Sequence, residues 1–159
     1  MISSSLIKGT LYFHPRTGLS VGMYAEIKRI ISASDVSAYS ELLGDTNPLH
    51  LDAAFASTTR WKRPIAHGML SAGLFPTIFG ATIPASVYVS QTLRFRRPVY
   101  IGDTVIARVT VKDVRVRGGT QRVTCDTVAA IEACGSVAVD GEAVVMLPPL
   151  EVEGEMKMK

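Results

Sequence analysis

The residues best suited to chemistry in this chain are an aspartate and a histidine five positions apart. The stretch Gly44-Asp45-Thr46-Asn47-Pro48-Leu49-His50 places a proline between the two side chains. A residue before proline is pushed to extended conformations, so we expect the chain to bend at Asn47 and bring His50 back toward Asp45. A carboxylate beside an imidazole is what reversible proton transfer requires. On spacing alone, an ordinary turn with a solvated histidine is the favoured interpretation.

The segment before this loop has the pattern of a short amphipathic helix. Ser32 or Ser34 offers an N-cap, Asp35 follows in the first turn, and Gly44 supplies the stop. Apolar side chains recur at helical spacing at Val36, Tyr39, Leu42 and Leu43. The helix should therefore end just before Asp45.

A second helix is predicted after the loop, over His67–Gly80. It is apolar nearly all round, so it should be buried on most sides, and Pro76 should kink it or divide it in two. Gly68 would lie in the first turn, where backbone N–H groups are unpaired and the helix dipole favours negative charge. That N–H is therefore suited to bind a negatively charged oxygen, although tight helix packing also explains a glycine there.

The rest of the chain alternates between apolar and polar residues. Met23–Ile31 is consistent with a first strand, and four longer strands are predicted from Ser86 onward, with turns at Gly118-Gly119 and before the last strand at Asp140-Gly141. The apolar positions are Val87, Val89, Leu93 and Phe95; Val105, Ala107, Val109 and Val111; Val123, Cys125, Ala129 and Ile131; and Ala143, Val145 and Leu147.

These elements predict an α+β fold of the hot-dog type, in which an antiparallel sheet wraps around one buried apolar helix. The alternative is another α+β sheet with its helices on one face. We assign residues 1–18 to an N-terminal arm or presequence, 19–150 to a single domain and 151–159 to a charged, frayed tail.

A long motif gives the chain a family resemblance. Ser40–His50, followed by Ala54-Phe55-Ala56, resembles the signature of the MaoC-like (R)-specific enoyl-thioester hydratases, and Pro64–Leu70 resembles the start of that family's central helix. From about Leu19 to Pro149 the chain looks most similar to the mitochondrial 3-hydroxyacyl-thioester dehydratase type 2. The resemblance implies a hydro-lyase that interconverts (R)-3-hydroxyacyl and trans-2-enoyl thioesters.

The resemblance also implies roles for individual residues. Asp45 and His50 would form the acid/base pair that holds the water, and Gly68 would stabilise the oxyanion. Which member of the pair moves which proton stays open. For Asn47 we favour a structural role in the loop over contact with substrate. His67 is a candidate for the pocket wall, with a backbone-bonded position at the helix start as the simpler alternative.

Basic residues cluster at Arg60, Lys62 and Arg63 and again at Arg94, Arg96 and Arg97. From these, Arg63 and Arg94 are our candidates for contact with the phosphates of coenzyme A or with an acidic acyl carrier protein. A solvated surface is the alternative for any one of them. The resemblance further implies a homodimer, with the acyl thioester running along the subunit interface.

Composition excludes several other classes. The chain has 159 residues, a net charge of +3 and two cysteines outside any CxxC pair, so we predict no metal cluster and no disulfide framework. We find no dinucleotide-binding glycine motif and no P-loop, so no cofactor is expected. The longest apolar stretch, Ile65–Ala81, is too short and too interrupted for a membrane span. The small charge excess without an aromatic platform argues against nucleic acid.

Two other functions compete with the hydratase prediction: a hot-dog thioesterase and a non-catalytic acyl-thioester-binding protein. The loop with both acid and imidazole argues against each of them. An N-terminus poor in acidic residues is compatible with a mitochondrial protein, and a cytoplasmic one is the alternative. The sequence leaves open the carrier, the acyl chain length and the physiological direction.

Overall fold

One antiparallel sheet and a set of short helices make up the computed structural model, which describes residues 7–151. The predicted tail after residue 151 and the first six residues of the predicted arm lie outside the described residues. The strands are β1 (Ile7–Gly9), β2 (Tyr24–Ile30), β3 (Val87–Phe95), β4 (Thr104–Arg117), β5 (Thr120–Ile131) and β6 (Val137–Pro149). The helices are α1 (Ala33–Leu43), α2 (Pro48–Leu51), α3 (Ala53–Thr58), α4 (Gly68–Ala72) and α5 (Leu74–Thr82).

The sheet has the strand order β1-β2-β4-β5-β6-β3, with every neighbouring pair antiparallel. The predicted inward residues of β4 and β6 are all buried, as are Val123, Cys125 and Ala129 of β5. Gly118 and Gly119 both have positive φ, 57° and 75°, which the tight hairpin between β4 and β5 requires. Alternation thus predicted correctly which face of the three central strands is buried.

The central helix is the segment from α4 to α5, and the sheet packs around it. Phe75, Ile78 and Phe79 are at most 1% exposed, and the two helices contact β2, β4 and β6. The helix is divided in two, as the presence of Pro76 predicts: α4 ends at Ala72, whose carbonyl the proline cannot bond, and Pro76 lies in the first turn of α5. This arrangement confirms the hot-dog prediction. Over residues 7–151, no helix is long and apolar enough to cross a membrane.

Two features of the sheet were not predicted from the sequence. A short strand, β1, pairs with β2 inside the predicted arm. The Asp140-Gly141 pair makes no turn: it lies within β6, where a Cβ at Gly141 would be 1.7 Å from the Thr92 carbonyl oxygen of β3. A dipeptide typical of turns is here a place where two strands approach closely.

The alternation predicted for β3 is only partly right, since Leu93 packs against the core as predicted but the other three predicted inward residues are largely exposed. Val87, Val89 and Phe95 are 51%, 46% and 56% exposed, whereas Tyr88 is partly buried against the core. The register shifts between Tyr88 and Ser90, so a bulge turns the following residues to the opposite face. Because β3 is also the last strand of the sheet, its outer edge is unpaired within the described chain.

Helix α1 begins and ends where the sequence predicts. Ser32 caps it and forms a reciprocal capping box with Asp35, and Gly44 ends it in a left-handed conformation. The backbone hydrogen bond from Ser32 to the Asp35 carboxylate holds the pKa of Asp35 below its usual value. The predicted buried face is only partly right, since Val36 is buried while Leu42 and Leu43 are 78% and 60% exposed.

Candidate active site

The loop between α1 and α2 bends in the way its proline dictates. Asn47 has φ −52° and ψ 123°, outside the helical region, and Pro48 occupies the first turn of α2. The side chain of Asn47 accepts a hydrogen bond from the backbone N–H of Leu49 at 3.0 Å, so it caps α2. His50 therefore lies on a short helix that folds back against the end of α1.

This bend brings the predicted acid/base pair together. Asp45, His50 and His67 each place one side-chain nitrogen or oxygen atom in a cluster. All three atoms of this cluster lie within 4.8 Å of one another. Two hydrogen bonds of about 2.8 Å span such a gap through a single water. The Asp45 side chain is 51% exposed, so water can reach the pair in the single chain.

A backbone contact fixes the hydrogen-bonding state of His50. Its Nδ1 lies 2.7 Å from the carbonyl oxygen of Ile65. A carbonyl only accepts, so in the neutral ring Nδ1 carries the proton and Nε2 keeps its lone pair. Any proton that His50 exchanges with a water or a substrate therefore passes through Nε2.

His67 lies directly behind the pair, at the start of α4, where its ring bonds to the backbone as the simpler of our two expectations predicted. Its ring is 3% exposed, and its centroid is 3.9 Å from that of His50 and 4.8 Å from that of Tyr39. Its Nε2 is 3.2 Å from the backbone oxygen of Asp45, to which it donates. His67 therefore holds the loop on which the carboxylate is carried.

The hydrogen bonds also indicate a neutral His67. Its Nδ1 is buried and has no hydrogen-bond partner within residues 7–151. A second proton on that atom would be an unpaired buried donor, which is costly. The 3.7 Å approach of Nε2 to the Asp45 carboxylate is thus a contact with a neutral ring rather than an ion pair.

Asp45, His50 and His67 are also the residues of the described chain that are spaced to hold a metal ion. The metal-free site expected from the sequence stays a prediction.

Gly68 lies where the oxyanion donor is expected, at the first position of α4. It lines a cavity of about 360 Å³ together with His50. A Cβ built on Gly68 would lie 2.5 Å from Cε1 of Phe95, so the Phe95 ring rests against this glycine. The helix N-terminus and the imidazole thus face one cavity.

The other predicted substrate residues lie in different places. Arg63 stacks on Tyr100, with its guanidinium carbon 3.9 Å from the ring centroid. Arg94 lines a separate cavity with Lys112, Asp126 and Glu142. The cavity of His50 is lined instead by Arg60, Arg96 and Arg97 and by Trp61. The basic clusters in the sequence contained these arginines, but their convergence depends on how two distant segments meet.

Comparison with known proteins shows which family shares these features. The model of the MaoC like domain matches residues 19–133. An (R)-specific enoyl-CoA hydratase of Aeromonas caviae is 43% identical over 132 residues, covering 82% of this chain and 96% of the relative. A mitochondrial 3-hydroxyacyl-[acyl-carrier-protein] dehydratase of Solanum lycopersicum is 41% identical over 135 residues, covering 85% and 81%.

The fold is shared with solved structures of similar sequence. The unliganded R-hydratase of Pseudomonas aeruginosa superposes with a TM-score of 0.77 at 37% identity, covering 91% of this chain and 90% of that one. The architecture around the site is therefore common to this chain and that relative.

Proposed function

This chain belongs to the MaoC-like family, whose matched members are (R)-specific enoyl-thioester hydratases and dehydratases, and we propose that Asp45, His50 and Gly68 carry that reaction here. The protein is a hydro-lyase that interconverts trans-2-enoyl and (R)-3-hydroxyacyl thioesters. Its substrates are acyl thioesters of coenzyme A or of acyl carrier protein.

In hydration, the water oxygen bonds to C3 and the C2=C3 electron pair moves toward the thioester carbonyl. One member of the pair takes a proton from the water, and the other gives a proton to C2 on the same face of the substrate. His50 acts through Nε2, because Nδ1 is held by the Ile65 carbonyl. Proton transfer of this kind contributes roughly 10²–10⁴-fold to the rate.

Negative charge develops on the thioester oxygen as water adds. The N–H of Gly68, in the first turn of α4, is the donor that would stabilise it. One such donor is typically worth about 3–4 kcal/mol in the transition state.

The observation that carries this proposal is the approach of Asp45 and His50 to within 4.8 Å, beside the cavity that Gly68 lines. The test is hydration of crotonyl-CoA, followed by loss of the enoyl absorbance and chiral analysis of the product. We expect the (R)-3-hydroxy product, and at least about a 10²-fold fall in kcat for Asp45→Asn and His50→Ala with unfolding unchanged.

His14→Ala is the matched control for the histidine variant, because His14 lies in the bridged segment between β1 and β2 and does not line the cavity of His50. Wild-type turnover in Asp45→Asn or His50→Ala would contradict the residue assignment. Release of free coenzyme A without hydration would identify a thioesterase instead.

We also propose that the protein acts as a homodimer joined through β3. The outer edge of this strand is unpaired within residues 7–151 and carries exposed Val87, Val89 and Phe95. An apolar free edge invites pairing with another strand, and a second copy satisfies it with two-fold symmetry. Since Phe95 rests on Gly68, the same pairing would enclose the site. Sedimentation velocity should show a dimer, and a fully active monomer would refute this.

A mitochondrial location, with kinship to the type 2 dehydratases, is our finer proposal. It is supported by the mitochondrial dehydratases of Solanum lycopersicum and Arabidopsis thaliana, at 41% and 38% identity. Bacterial hydratases at 43% and 42% identity support a cytoplasmic location to the same degree. Imaging of a fluorescent fusion to the full chain in yeast distinguishes the two.

A further inference from the structure

Cationic side chains surround the mouth of the cavity that holds His50 and Gly68. Arg60 comes from the turn after α3, while Arg96 and Arg97 directly follow β3. All three arginines are exposed, and the partly buried ring of Trp61 lines the same cavity. Two segments more than thirty residues apart in the sequence thus place three guanidinium groups and an indole at one opening.

Two of these charges have no acidic partner within residues 7–151. Arg96 is paired with Asp140 at 2.9 Å, whereas neither Arg60 nor Arg97 forms an ion pair with any residue of the described chain. The guanidinium of Arg60 instead lies 4.2 Å from the centroid of the Trp61 ring. The mouth therefore keeps a positive charge that an anionic ligand can neutralise.

The turn that carries Arg60 and Trp61 is held in place. Lys62 adopts φ 64°, in the left-handed region that non-glycine residues rarely occupy. The backbone N–H of Trp61 bonds to Oγ1 of Thr59, and the Tyr100 hydroxyl donates to the Trp61 carbonyl. Such strain persists only where surrounding contacts fix it, and it is common at ligand sites.

We infer that this mouth, defined by Arg60, Trp61, Arg96 and Arg97, binds the phosphorylated adenosine of coenzyme A. The inference rests on the proposed function, because it places the carrier of the thioester that reacts at His50. Guanidinium groups bind phosphate in a bidentate manner. An indole face next to a guanidinium is a stacking surface for a nucleobase.

Coenzyme A fits this chemistry better than an acyl carrier protein does. It brings several phosphate groups and an adenine, which match unpaired arginines beside an aromatic ring inside a concave mouth. A carrier protein brings a single phosphodiester on its arm and otherwise binds through its acidic surface, for which the Trp61 ring offers no counterpart.

The test compares three crotonyl thioesters: of coenzyme A, of 4′-phosphopantetheine and of N-acetylcysteamine, which has no phosphate. For Arg60→Gln/Arg97→Gln we expect the KM of crotonyl-CoA to rise at least about tenfold with kcat unchanged, as lost charged hydrogen bonds predict. Both parameters for the N-acetylcysteamine thioester should stay at wild-type values. Trp61→Leu should raise the KM of the coenzyme A thioester but not that of the phosphopantetheine thioester.

Arg117→Gln/Arg122→Gln is the matched control. It removes the same charge from two exposed arginines near the β4–β5 hairpin. At the hairpin end of the sheet, residue 120 of β5 pairs with residue 149 of β6. The cavity lies near the opposite end of β5, where residue 130 pairs with residue 137. The control should leave the KM of crotonyl-CoA unchanged. In the wild type, added salt should raise the KM of crotonyl-CoA and not that of the N-acetylcysteamine thioester.

Equal changes for all three thioesters, or an unchanged KM for crotonyl-CoA, would overturn the inference. So would a variant that loses affinity for an acyl carrier protein substrate while keeping its affinity for coenzyme A. Failure of the proposed function is distinguishable, because the wild type would then hydrate none of the three thioesters.

Discussion

Replacing Gly68 with alanine tests the oxyanion role at the point of closest packing. The added Cβ would lie 2.5 Å from Cε1 and 2.6 Å from Cδ1 of Phe95, against the 3.4–4 Å of ordinary contact. The Phe95 ring must therefore move by roughly 1 Å. Phe95 is 56% exposed in the single chain, so the ring can swing away from the helix unless the partner strand of the proposed dimer covers it.

The effects on stability and on catalysis should separate. Overpacking a core costs typically about 1–3 kcal/mol, and we expect the low end because the displaced ring is half exposed. The methyl group, however, would stand beside the N–H that the thioester oxygen must approach. Loss of an oxyanion donor lowers kcat by about 10²–10³-fold, so we expect kcat to fall by about 10²-fold in Gly68→Ala.

The assay is crotonyl-CoA hydration in parallel with urea unfolding. Gly80→Ala is the matched control, because a Cβ there meets nothing within 4 Å. It should keep full activity and gain up to about 1 kcal/mol of helix stability. In Gly68→Ala/Phe95→Ala the steric conflict with the ring is gone. If kcat stays low in that double variant, the loss comes from the blocked N–H. Wild-type kcat in Gly68→Ala alone would refute the reasoning.

Other predictions concern buried and capping groups. His67→Phe keeps an aromatic ring behind the catalytic pair but removes the hydrogen bond that holds the loop. We therefore expect kcat to fall about tenfold with KM nearly unchanged. An unchanged kcat would show that other contacts hold the loop. Asp35→Asn should lower the free energy of unfolding by about 1 kcal/mol at neutral pH. Because the folded-state pKa of Asp35 is lowered, this difference should vanish in urea titrations as pH falls through that pKa, and a difference that persists in acid would contradict it. Burial raises the pKa of Cys125 to about 12, whereas a hydrogen bond with the Ser136 side chain lowers the pKa of exposed Cys134. A thiol reagent should therefore titrate one cysteine in the folded protein and two in denaturant, and two fast thiols in the folded state would show that β5 opens.

Much of the fold could be predicted because its causes are local. Ser32 and Gly44 mark the ends of α1 through capping chemistry that involves only neighbouring residues. Alternation identified the buried face of β4, β5 and β6, because side chains of a strand point to opposite faces in turn. The same rule held only in part in β3, where the bulge after Tyr88 reverses the alternation. It also gave no indication that Gly141 faces a neighbouring strand.

The sequence by itself determined the bent loop that joins Asp45 to His50, since a proline restricts the residue before it wherever it stands. Only the tertiary structure placed His67 behind that loop and brought Arg60 and Arg97 to one cavity. These residues belong to segments that meet because the sheet wraps around a single helix. Contacts of that kind depend on strand register and packing across the whole domain, which no short stretch of sequence encodes.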